Sequence, residues 1–217
     1  MVIKRQLTAL KHTYGRFTLT KGNVPPNPLV LVEKWLEEAI KLTSDPQPNA
    51  MSLATCGDNG QPSNRMVLLK SIEDGEFHFY TNYQSQKGQQ FFENPYAALC
   101  LYWGKLERQI RIEGIVKKLS RRTSCDYFKT RTKESQLSAL ASDQSQPIDN
   151  RAKLTGRFDA LSKQYQTSLP ECPPHWGGYA LVPTSIEFWQ GRSHRLHDRL
   201  FYQKTDQGQW RLERLCP

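Results

Sequence analysis

Short apolar segments separated by turn sequences limit what this chain can fold into. The segment 51–56 is followed by Gly57-Asp58-Asn59-Gly60, whose Asn-Gly step is typical of a hairpin. A second turn signal, Asp74-Gly75, separates the segments 65–72 and 77–80. This pattern predicts antiparallel strands joined by tight turns, and it continues through the segments 96–103, 108–119, 178–182, 185–189, 200–204 and 210–215.

Two stretches have helical patterns instead. Apolar residues recur at helical spacing from Leu29 to Ile40, and Pro46 and Pro48 end that stretch. Residues 121–167 form a polar, half-buried helical region. Many antiparallel strands with a few inserted helices predict a mainly β, α+β fold of the β-barrel type. A chain of 217 residues suits one domain, which we place at 28–217, with the basic stretch 1–27 as an N-terminal arm or lid.

The charge balance narrows the range of partners. Lys and Arg total 30 against 21 for Asp and Glu, which gives a formal net charge of +9. Such an excess suits phosphorylated small molecules, nucleic acid or an acidic membrane surface. The N-terminal sequence lacks the apolar run of a signal peptide, no later stretch is apolar enough to span a bilayer, and the five cysteines show no metal-ligand or redox spacing. We therefore expect a cytoplasmic protein with free thiols, no metal site and no membrane contact.

Basic residues stand at both ends of the apolar segment 65–70. Arg65 and Lys70 are five residues apart, so strict strand alternation sends their side chains to opposite faces. Either two separate phosphates are bound or the strand contains a bulge, and charged strand ends in solvent are the alternative to any binding role. Further along, Thr81 ends a strand and Lys87 lies in the first turn of a predicted helix, where an anion is favoured.

Tyr127, Arg131 and Ser135 are spaced at i, i+4 and i+8. On one helix this spacing places all three along one side. A phenol, a guanidinium and a hydroxyl that converge can donate several hydrogen bonds to one phosphate. A solvated polar helix face is the alternative interpretation.

The stretch 186–199 carries the richest set of chemically active side chains. If it is extended, Arg195, His197 and Arg199 fall on one face, because strand side chains alternate. Three cationic or titratable groups near Trp189 suit a planar anionic ligand. A solvated edge strand is the alternative, since charges there discourage aggregation.

The identities of the residues in this stretch give information beyond their spacing. The residues Glu-Phe-Trp-Gln at 187–190, followed after four residues by Arg-Leu-His-Asp-Arg, resemble the C-terminal motif of the pyridoxamine 5'-phosphate oxidase family. The resemblance runs from about residue 10 to residue 217. It implies an FMN-binding split β-barrel and an oxidoreductase that converts pyridoxamine or pyridoxine 5'-phosphate to pyridoxal 5'-phosphate, with O2 reduced to H2O2. It also implies a homodimer with FMN at the subunit interface.

The resemblance assigns residues to two ligands. Those implied for the substrate, with Arg195 and His197 as the catalytic pair, are Lys70, Tyr127, Arg131, Ser135, Arg195, His197, Tyr14 and Lys11. Those implied for FMN are Arg65, Met66, Val67, Leu68, Lys70, Tyr80, Thr81, Gln86, Lys87, Gln109, Gln144, Ser145, Trp189 and Arg199. Gln86 and Lys11 stand where the family has arginine, so we expect weaker FMN affinity from Gln86, and a substrate contact without the bidentate fork at Lys11.

Two other function classes stay open. A different FMN-binding split-barrel protein, such as a reductase or a flavin carrier, keeps the flavin residues but does not need Tyr127, Arg131, Ser135 and Arg195 together. A nucleic-acid-binding barrel is suggested by the net charge and the basic run 117–122, and its binding would weaken steeply with salt. The presence of all four residues favours the oxidase, so we expect no nucleic-acid partner.

Overall fold

The computed structural model describes Ala9 and residues 13–217, and backbone contacts divide the chain into two compact units. The first unit contains the described residues up to Asn49 together with Cys100–Ile112 and Thr184–Pro217, and the second contains Ala50–Leu99 and Glu113–Pro183. The α-helices from residue 13 onward are α1 (Pro28–Leu42), α2 (Gln86–Glu93), α3 (Arg121–Thr130), α4 (Lys133–Ala141) and α5 (Arg151–Gln164). The strands there are β1 (Ala50–Cys56), β2 (Pro62–Leu68), β3 (Ser71–Glu73), β4 (Glu76–Asn82), β5 (Tyr96–Trp103), β6 (Arg108–Lys118), β7 (Trp176–Gln190), β8 (Asp198–Lys204) and β9 (Trp210–Leu215).

The strands form one sheet in the order β2-β1-β5-β6-β7-β4-β3, with β8 paired to β7 and β9 paired to β8. Strands β1 and β2 form the predicted antiparallel hairpin, with Cys56 opposite Pro62. Gly60 in its turn has φ of +73°, a conformation that glycine adopts without steric cost. The Asp74-Gly75 turn joins β3 to β4, as predicted, and both of its residues have positive φ.

Helix α2 packs on this sheet through Phe91. The Phe91 ring centroid lies 6.1 Å from that of Phe79 and 4.8 Å from that of Tyr179. Burying an aromatic side chain of this size contributes about 1.5–3 kcal/mol. Gly88 permits the close approach, because a Cβ at that position would lie 2.1 Å from the carbonyl oxygen of Tyr83. The packing thereby fixes the first turn of α2 beside the end of β4.

The first unit combines α1 with the strand pairs β7–β8 and β8–β9. Trp35 of α1 packs edge-on against Phe188, with ring centroids 5.2 Å apart. The Arg108 guanidinium lies 4.6 Å from the centre of the Trp35 ring and is hydrogen-bonded to Glu38. The buried face of α1 is therefore apolar with one paired charge.

The N-terminal segment from residue 13 is hydrogen-bonded to this same unit. The backbone N–H of Gly15 donates to Glu107 Oε2 at 3.0 Å, and that of Leu19 donates to Asp198 Oδ2 at 3.1 Å. The division into an arm over 1–27 and a domain over 28–217 stays a prediction.

The α+β class and the main elements agree with the sequence prediction, with four differences. The segment 65–72 is two strands, because the chain leaves β2 after Leu68 and enters β3 at Ser71. The segments 178–182 and 185–189 are parts of the single long strand β7, and the helical region 121–167 is three helices. In α1 the buried face is centred on Leu31, Val32 and Trp35, which leaves Ile40 63% exposed.

Candidate active site

A pocket of about 810 Å³ in the second unit gathers most of the predicted ligand contacts. It is lined by residues of β2, β4 and α2, by the α3–α4 junction and by the loop after α4. The predicted residues among its lining are Arg65, Met66, Val67, Leu68, Lys70, Tyr80, Thr81, Gln86, Lys87, Tyr127, Arg131, Ser135, Gln144 and Ser145. Residues distant in sequence and singled out by separate motifs thus share one cavity.

Arg65 is held in this pocket by a polar cluster on the β1–β2 hairpin. Its Nη1 donates to the Leu53 carbonyl at 3.2 Å, and its Nη2 donates to Ser63 Oγ at 2.6 Å. The Gln90 Oε1 atom accepts from Ser63 Oγ at 2.7 Å and from Thr55 Oγ1 at 2.6 Å. Burial lowers the pKa of Arg65. The guanidinium is therefore orientated before any ligand arrives.

Lys87 is a buried cation whose contacts are all neutral. Its Nζ donates to Thr81 Oγ1 at 3.2 Å, to Ser85 Oγ at 3.1 Å and to Gln144 Oε1 at 3.4 Å. Burial, and secondarily the nearby charge of Arg65, lowers the pKa of Lys87 to about 8. An anion near Lys87 would reverse both effects, because it favours the charged ammonium.

Lys70 reaches the same pocket by a route that the sequence left open. Strand β2 ends at Leu68, and the Lys70 backbone N–H donates to the His78 carbonyl at 2.9 Å. Strand alternation therefore does not extend from Arg65 to Lys70, and both side chains line one cavity. The strict alternation that would send the two side chains to opposite faces does not apply, since the chain turns between β2 and β3.

The prediction that Tyr127, Arg131 and Ser135 lie along one helix is wrong. Tyr127 belongs to α3, whereas Arg131 follows its last residue in an extended conformation with ψ of 152°. The Thr132 hydroxyl then caps α4 by accepting from the Ser135 backbone N–H at 3.3 Å. The three side chains nevertheless line the same pocket, brought together by a bend instead of by helical periodicity.

A stack of aromatic rings forms the wall beside Arg131. Tyr80 and Tyr127 have ring centroids 3.9 Å apart and planes 18° apart, and Trp176 is nearly parallel to Tyr80 at 5.5 Å. The Arg131 guanidinium lies 4.7 Å from the centre of the Trp176 ring. Burial raises the pKa of Tyr80 to about 12, with a smaller effect from Glu73, so its hydroxyl stays protonated.

Arg131 has an incomplete set of hydrogen bonds. Its Nη1 is buried and has no hydrogen-bond partner among the residues that the structure describes. Burial lowers the pKa of Arg131, while Tyr127 and Cys172 act in the opposite direction. Its carbonyl is fixed by Gln136 Nε2, which donates to it at 3.0 Å. A buried guanidinium donor without a partner is costly, and an anionic oxygen would satisfy it.

Gln144 and Ser145 close the pocket from the loop after α4. The Gln144 Oε1 atom accepts from Thr81 Oγ1 at 3.0 Å and from the Asn82 backbone N–H at 3.3 Å. Ser145 has φ of 73°, in the left-handed region that is uncommon for residues other than glycine. Gln86 is exposed on the same cavity.

The pocket also contains residues that the sequence did not single out. Trp176, at the start of β7, is the main one, because it stacks in the aromatic wall and contacts Arg131. No spacing pattern links it to the α3 residues, and its position before Gly177-Gly178 was the only signal. The other additions are Asn64, Thr130 and Thr132.

The first unit carries a separate pocket of about 620 Å³, lined by Tyr14, Arg195 and His197 among others. The expectation that Arg195, His197 and Arg199 share one strand face is wrong. Ser193–Arg195 is a 3-10 turn in which Arg195 has φ of 63°, and β8 begins only at Asp198. The His197 and Tyr14 rings are nearly perpendicular, with ring centroids 5.2 Å apart.

The other predicted residues of the first unit lie on its strands. Arg199 forms a bidentate pair with Glu187, with distances of 2.7 Å from Nε to Oε1 and 3.0 Å from Nη2 to Oε2. The hydrogen bonds that Arg199 donates to Glu187 raise the pKa of Arg199. Trp189 lies 4.6 Å from the His197 ring, and Gln109 is half-buried in β6. Lys11 lies outside the described residues.

Comparison with known proteins identifies the family. A family model described as pyridoxamine 5'-phosphate oxidase matches residues 36–165, and one described as the pyridoxine 5'-phosphate oxidase C-terminal dimerisation region matches residues 176–217. The chain belongs to the pyridoxamine 5'-phosphate oxidase family. This membership confirms the resemblance, and with it the prediction of an oxidoreductase of that kind.

Curated relatives match over nearly their whole length. A pyridoxine/pyridoxamine 5'-phosphate oxidase of Acaryochloris marina is 49% identical over 211 residues, which cover 97% of this chain and 95% of the relative. One of Pseudomonas putida is 46% identical over 214 residues, with 98% and 99% covered.

Solved structures support the fold. PhzG from Burkholderia lata, crystallised with tetrahydrophenazine-1-carboxylic acid, has a TM-score of 0.87 at 29% identity and covers 94% of this chain and 100% of its own. A pyridoxamine 5'-phosphate oxidase-related, FMN binding protein from Nostoc punctiforme has a TM-score of 0.70 at 20% identity, with 90% and 99% covered. The predicted split-barrel fold class is thereby confirmed.

All five cysteines are free thiols. Among residues 9 and 13–217, no cluster of His, Cys, Asp and Glu is arranged to hold a metal ion. Within the same residues, no helix has the length and apolar character needed to cross a bilayer.

Proposed function

We propose that this protein is an FMN-dependent oxidase that converts pyridoxamine or pyridoxine 5'-phosphate to pyridoxal 5'-phosphate, with O2 reduced to H2O2. Family membership and the names of the curated relatives support this reaction. The observation that carries the proposal is the pocket of the second unit, whose lining includes two arginines and two lysines. We propose that Arg65 and Lys87 bind one phosphate, and that Lys70 and Arg131 help to bind the other.

The residues present fit two phosphorylated aromatic ligands. The unpartnered Arg131 Nη1 and the buried ammonium of Lys87 are each stabilised by an anion. A phosphate carries about −1.5 to −2 charges near neutral pH, so each set of cations suits one phosphate. The volume of about 810 Å³ is within the range of small-molecule sites. The stacked wall of Tyr80, Tyr127 and Trp176 is suited to planar rings.

In this proposal the residues of the pocket bind and orientate, while the redox chemistry comes from the cofactor. FMN, when bound, would supply the redox chemistry, which is uptake of a hydride from the substrate and transfer of the electrons to O2. The residues proposed to contact FMN are the set that the family resemblance implies, of which Arg65 is the first in sequence and Arg199 the last. Lys70, Tyr127, Arg131 and Ser135 are proposed to hold the substrate phosphate, with Arg195, His197, Tyr14 and Lys11 acting on the rest of the substrate. Fixing two reactants in contact lowers the entropic part of the barrier.

We also propose a homodimer in which FMN binds at the subunit interface. The match of residues 176–217 to a region described as a dimerisation region supports this assembly. Dilution that separates the subunits should then release FMN, which gel filtration with detection of flavin absorbance would show. Retention of FMN by a monomer of measured mass would contradict the shared site.

An anaerobic absorption spectrum tests the reaction. Addition of pyridoxamine 5'-phosphate should bleach the visible flavin band, and admission of air should restore it. In Arg195→Leu we expect the same FMN content with bleaching lost or slowed at least about a hundredfold, in the range typical of removing a group that acts in the reaction. Arg122→Leu, which removes a 94% exposed arginine of α3, is the matched control and should bleach like the wild type. Equal loss of FMN and bleaching in Arg195→Leu would show that Arg195 serves the cofactor.

A second candidate function is that of a split-barrel reductase or flavin carrier with another substrate. The observation that favours it is the high structural similarity to PhzG, whose crystal holds a tricyclic acid instead of a phosphorylated pyridine. A flavin band that pyridoxamine 5'-phosphate and pyridoxine 5'-phosphate both leave unchanged would favour this alternative.

A further inference from the structure

His197 lies in a tight loop that controls which of its ring nitrogens is available. The backbone N–H of Arg192 donates to His197 Nδ1 at 3.1 Å. The loop that makes this contact contains two consecutive residues with left-handed backbone, His194 at φ of 58° and Arg195 at φ of 63°. Neither residue is a glycine, so the loop holds a conformation that is costly for both.

Arg192 is itself fixed, so the contact to His197 does not depend on a mobile backbone. Its Nη1 donates to the Phe17 carbonyl at 2.8 Å, and its Nε lies 3.5 Å from Asp198 Oδ2. The preceding Gly191 donates its N–H to the Glu107 carbonyl at 2.7 Å. The amide that faces His197 is thereby anchored on both sides.

A backbone N–H is only a donor, and this determines the protonation of the ring. His197 Nδ1 must accept and therefore carries a lone pair. A neutral imidazole has one proton, so that proton lies on Nε2. Protonation of Nδ1 would bring two N–H groups against each other and break the contact to Arg192.

The surroundings of the His197 ring also favour its neutral form. The Tyr14 ring lies nearly perpendicular to the imidazole at 5.2 Å and the Trp189 ring lies at 4.6 Å, so two neighbouring aromatic rings restrict its movement. Burial, and secondarily the charge of Arg195, lowers the pKa of His197. His197 lines the pocket of about 620 Å³ of the first unit, which gives a ligand access to this residue.

We propose that the Arg192 amide is a positioning group that holds His197 in its Nε2–H form, so that His197 donates a hydrogen bond to an acceptor on the substrate ring and does not remove a proton. A general base needs a lone pair directed at the proton that it takes. Here the lone pair is used inside the loop, and the pocket receives a donor. The substrate part of this proposal rests on the proposed function, whereas the form of the ring does not.

The form of the ring is tested by NMR on the free protein labelled with 15N-histidine. We expect His197 to show a protonated Nε2 and an unprotonated Nδ1 at neutral pH, with the signals assigned from their absence in His197→Gln. A protonated Nδ1, a doubly protonated ring, or averaging between the two neutral forms would overturn the proposal. This measurement is independent of which substrate the protein accepts.

The role in binding is tested with two variants that each keep one half of the imidazole. His197→Gln keeps a donor near the Nε2 position, and His197→Asn keeps an acceptor near Nδ1 but loses that donor. We expect His197→Asn to raise KM for pyridoxamine 5'-phosphate by about tenfold, the value of one hydrogen bond, with His197→Gln closer to the wild type. In both variants kcat should fall by less than about tenfold, and the pH profile of kcat should keep its acidic limb.

A loss of about a hundredfold or more in kcat in both variants, together with loss of an acidic limb, would instead identify His197 as a base and overturn the proposal. If the wild-type protein does not oxidise pyridoxamine 5'-phosphate, the proposed function fails. The NMR result then still decides the form of the ring, so the two failures are distinguishable.

Discussion

Replacing Arg131 by methionine should weaken substrate binding without weakening the fold. Its Nη1 is buried and lacks a partner in the described part of the chain, and a buried unpaired donor costs about 1–3 kcal/mol. Its contact with Trp176 at 4.7 Å contributes about 0.5–2 kcal/mol in the other direction. Methionine retains part of that contact through its sulfur. We therefore expect the free energy of unfolding of the ligand-free protein to stay the same or to rise by up to about 2 kcal/mol.

The cost should appear in the binding of the substrate phosphate. A hydrogen bond between a guanidinium and a phosphate contributes about 1.5–3 kcal/mol, which corresponds to an increase of about 10- to 150-fold in KM for pyridoxamine 5'-phosphate. Steady-state kinetics give KM, and urea denaturation of the flavin-free protein gives the stability. Arg122→Met is the matched control, because that side chain lies on the same segment but is 94% exposed, and both quantities should remain near the wild-type values.

Two results would refute this reasoning. A loss of more than about 1 kcal/mol of stability in Arg131→Met would mean that the guanidinium is satisfied within the free protein. An unchanged KM, with Arg122→Met also unchanged, would mean that Arg131 does not contact the substrate phosphate.

Two further predictions concern helix α2. Since Lys87 has a pKa lowered to about 8 by burial and by Arg65, its ammonium is present below that pH and is lost above it. FMN affinity, measured by quenching of flavin fluorescence, should therefore be highest below about pH 8 and fall by up to tenfold per pH unit above it, whereas Lys87→Met should bind weakly with no such step. Gly88→Ala should destabilise the protein by about 1–3 kcal/mol or more in urea denaturation, because the new Cβ would lie 2.1 Å from the Tyr83 carbonyl oxygen. Gly156→Ala, in α5 with open space around it, should instead be neutral or stabilise by roughly 0.5–1 kcal/mol, and equal losses in both variants would contradict the steric argument.

Local sequence signals predicted those parts of the fold that local interactions determine. The Asn59-Gly60 hairpin and the strand pattern of β6 are of this kind, because a turn type and an alternation of buried residues are both encoded within a few positions. The second-unit pocket residues were identified mainly by resemblance to the family. Their spacing alone was compatible with solvated faces.

Two parts of the candidate site could not be read from spacing. The helix expected through Arg131 is interrupted because Thr132 starts a new helix as its cap, and a capping residue within a polar stretch competes with continuation of the helix. The loop around His194 and Arg195 adopts left-handed backbone at two consecutive residues other than glycine, and their spacing in the sequence does not indicate it. The break after α3 is therefore a local capping effect, whereas the 192–195 loop is held by long-range contacts of Arg192 with Phe17 and of Ser193 with Tyr14.

The distribution of charge partners distinguishes a binding site from a structural network in this chain. Arg199 is paired with the Glu187 carboxylate, so its charge is satisfied within the protein. Arg65 and Lys87 instead donate hydrogen bonds to carbonyl, hydroxyl and amide oxygens. Arg131 contacts an aromatic ring, and its Nη1 has no hydrogen-bond partner among the described residues. Desolvated cations with only neutral partners are unfavourable in the free protein. Because these three line one cavity, an anion that enters it recovers the desolvation cost of several groups at once, and the lowered pKa values of all three follow from the same burial.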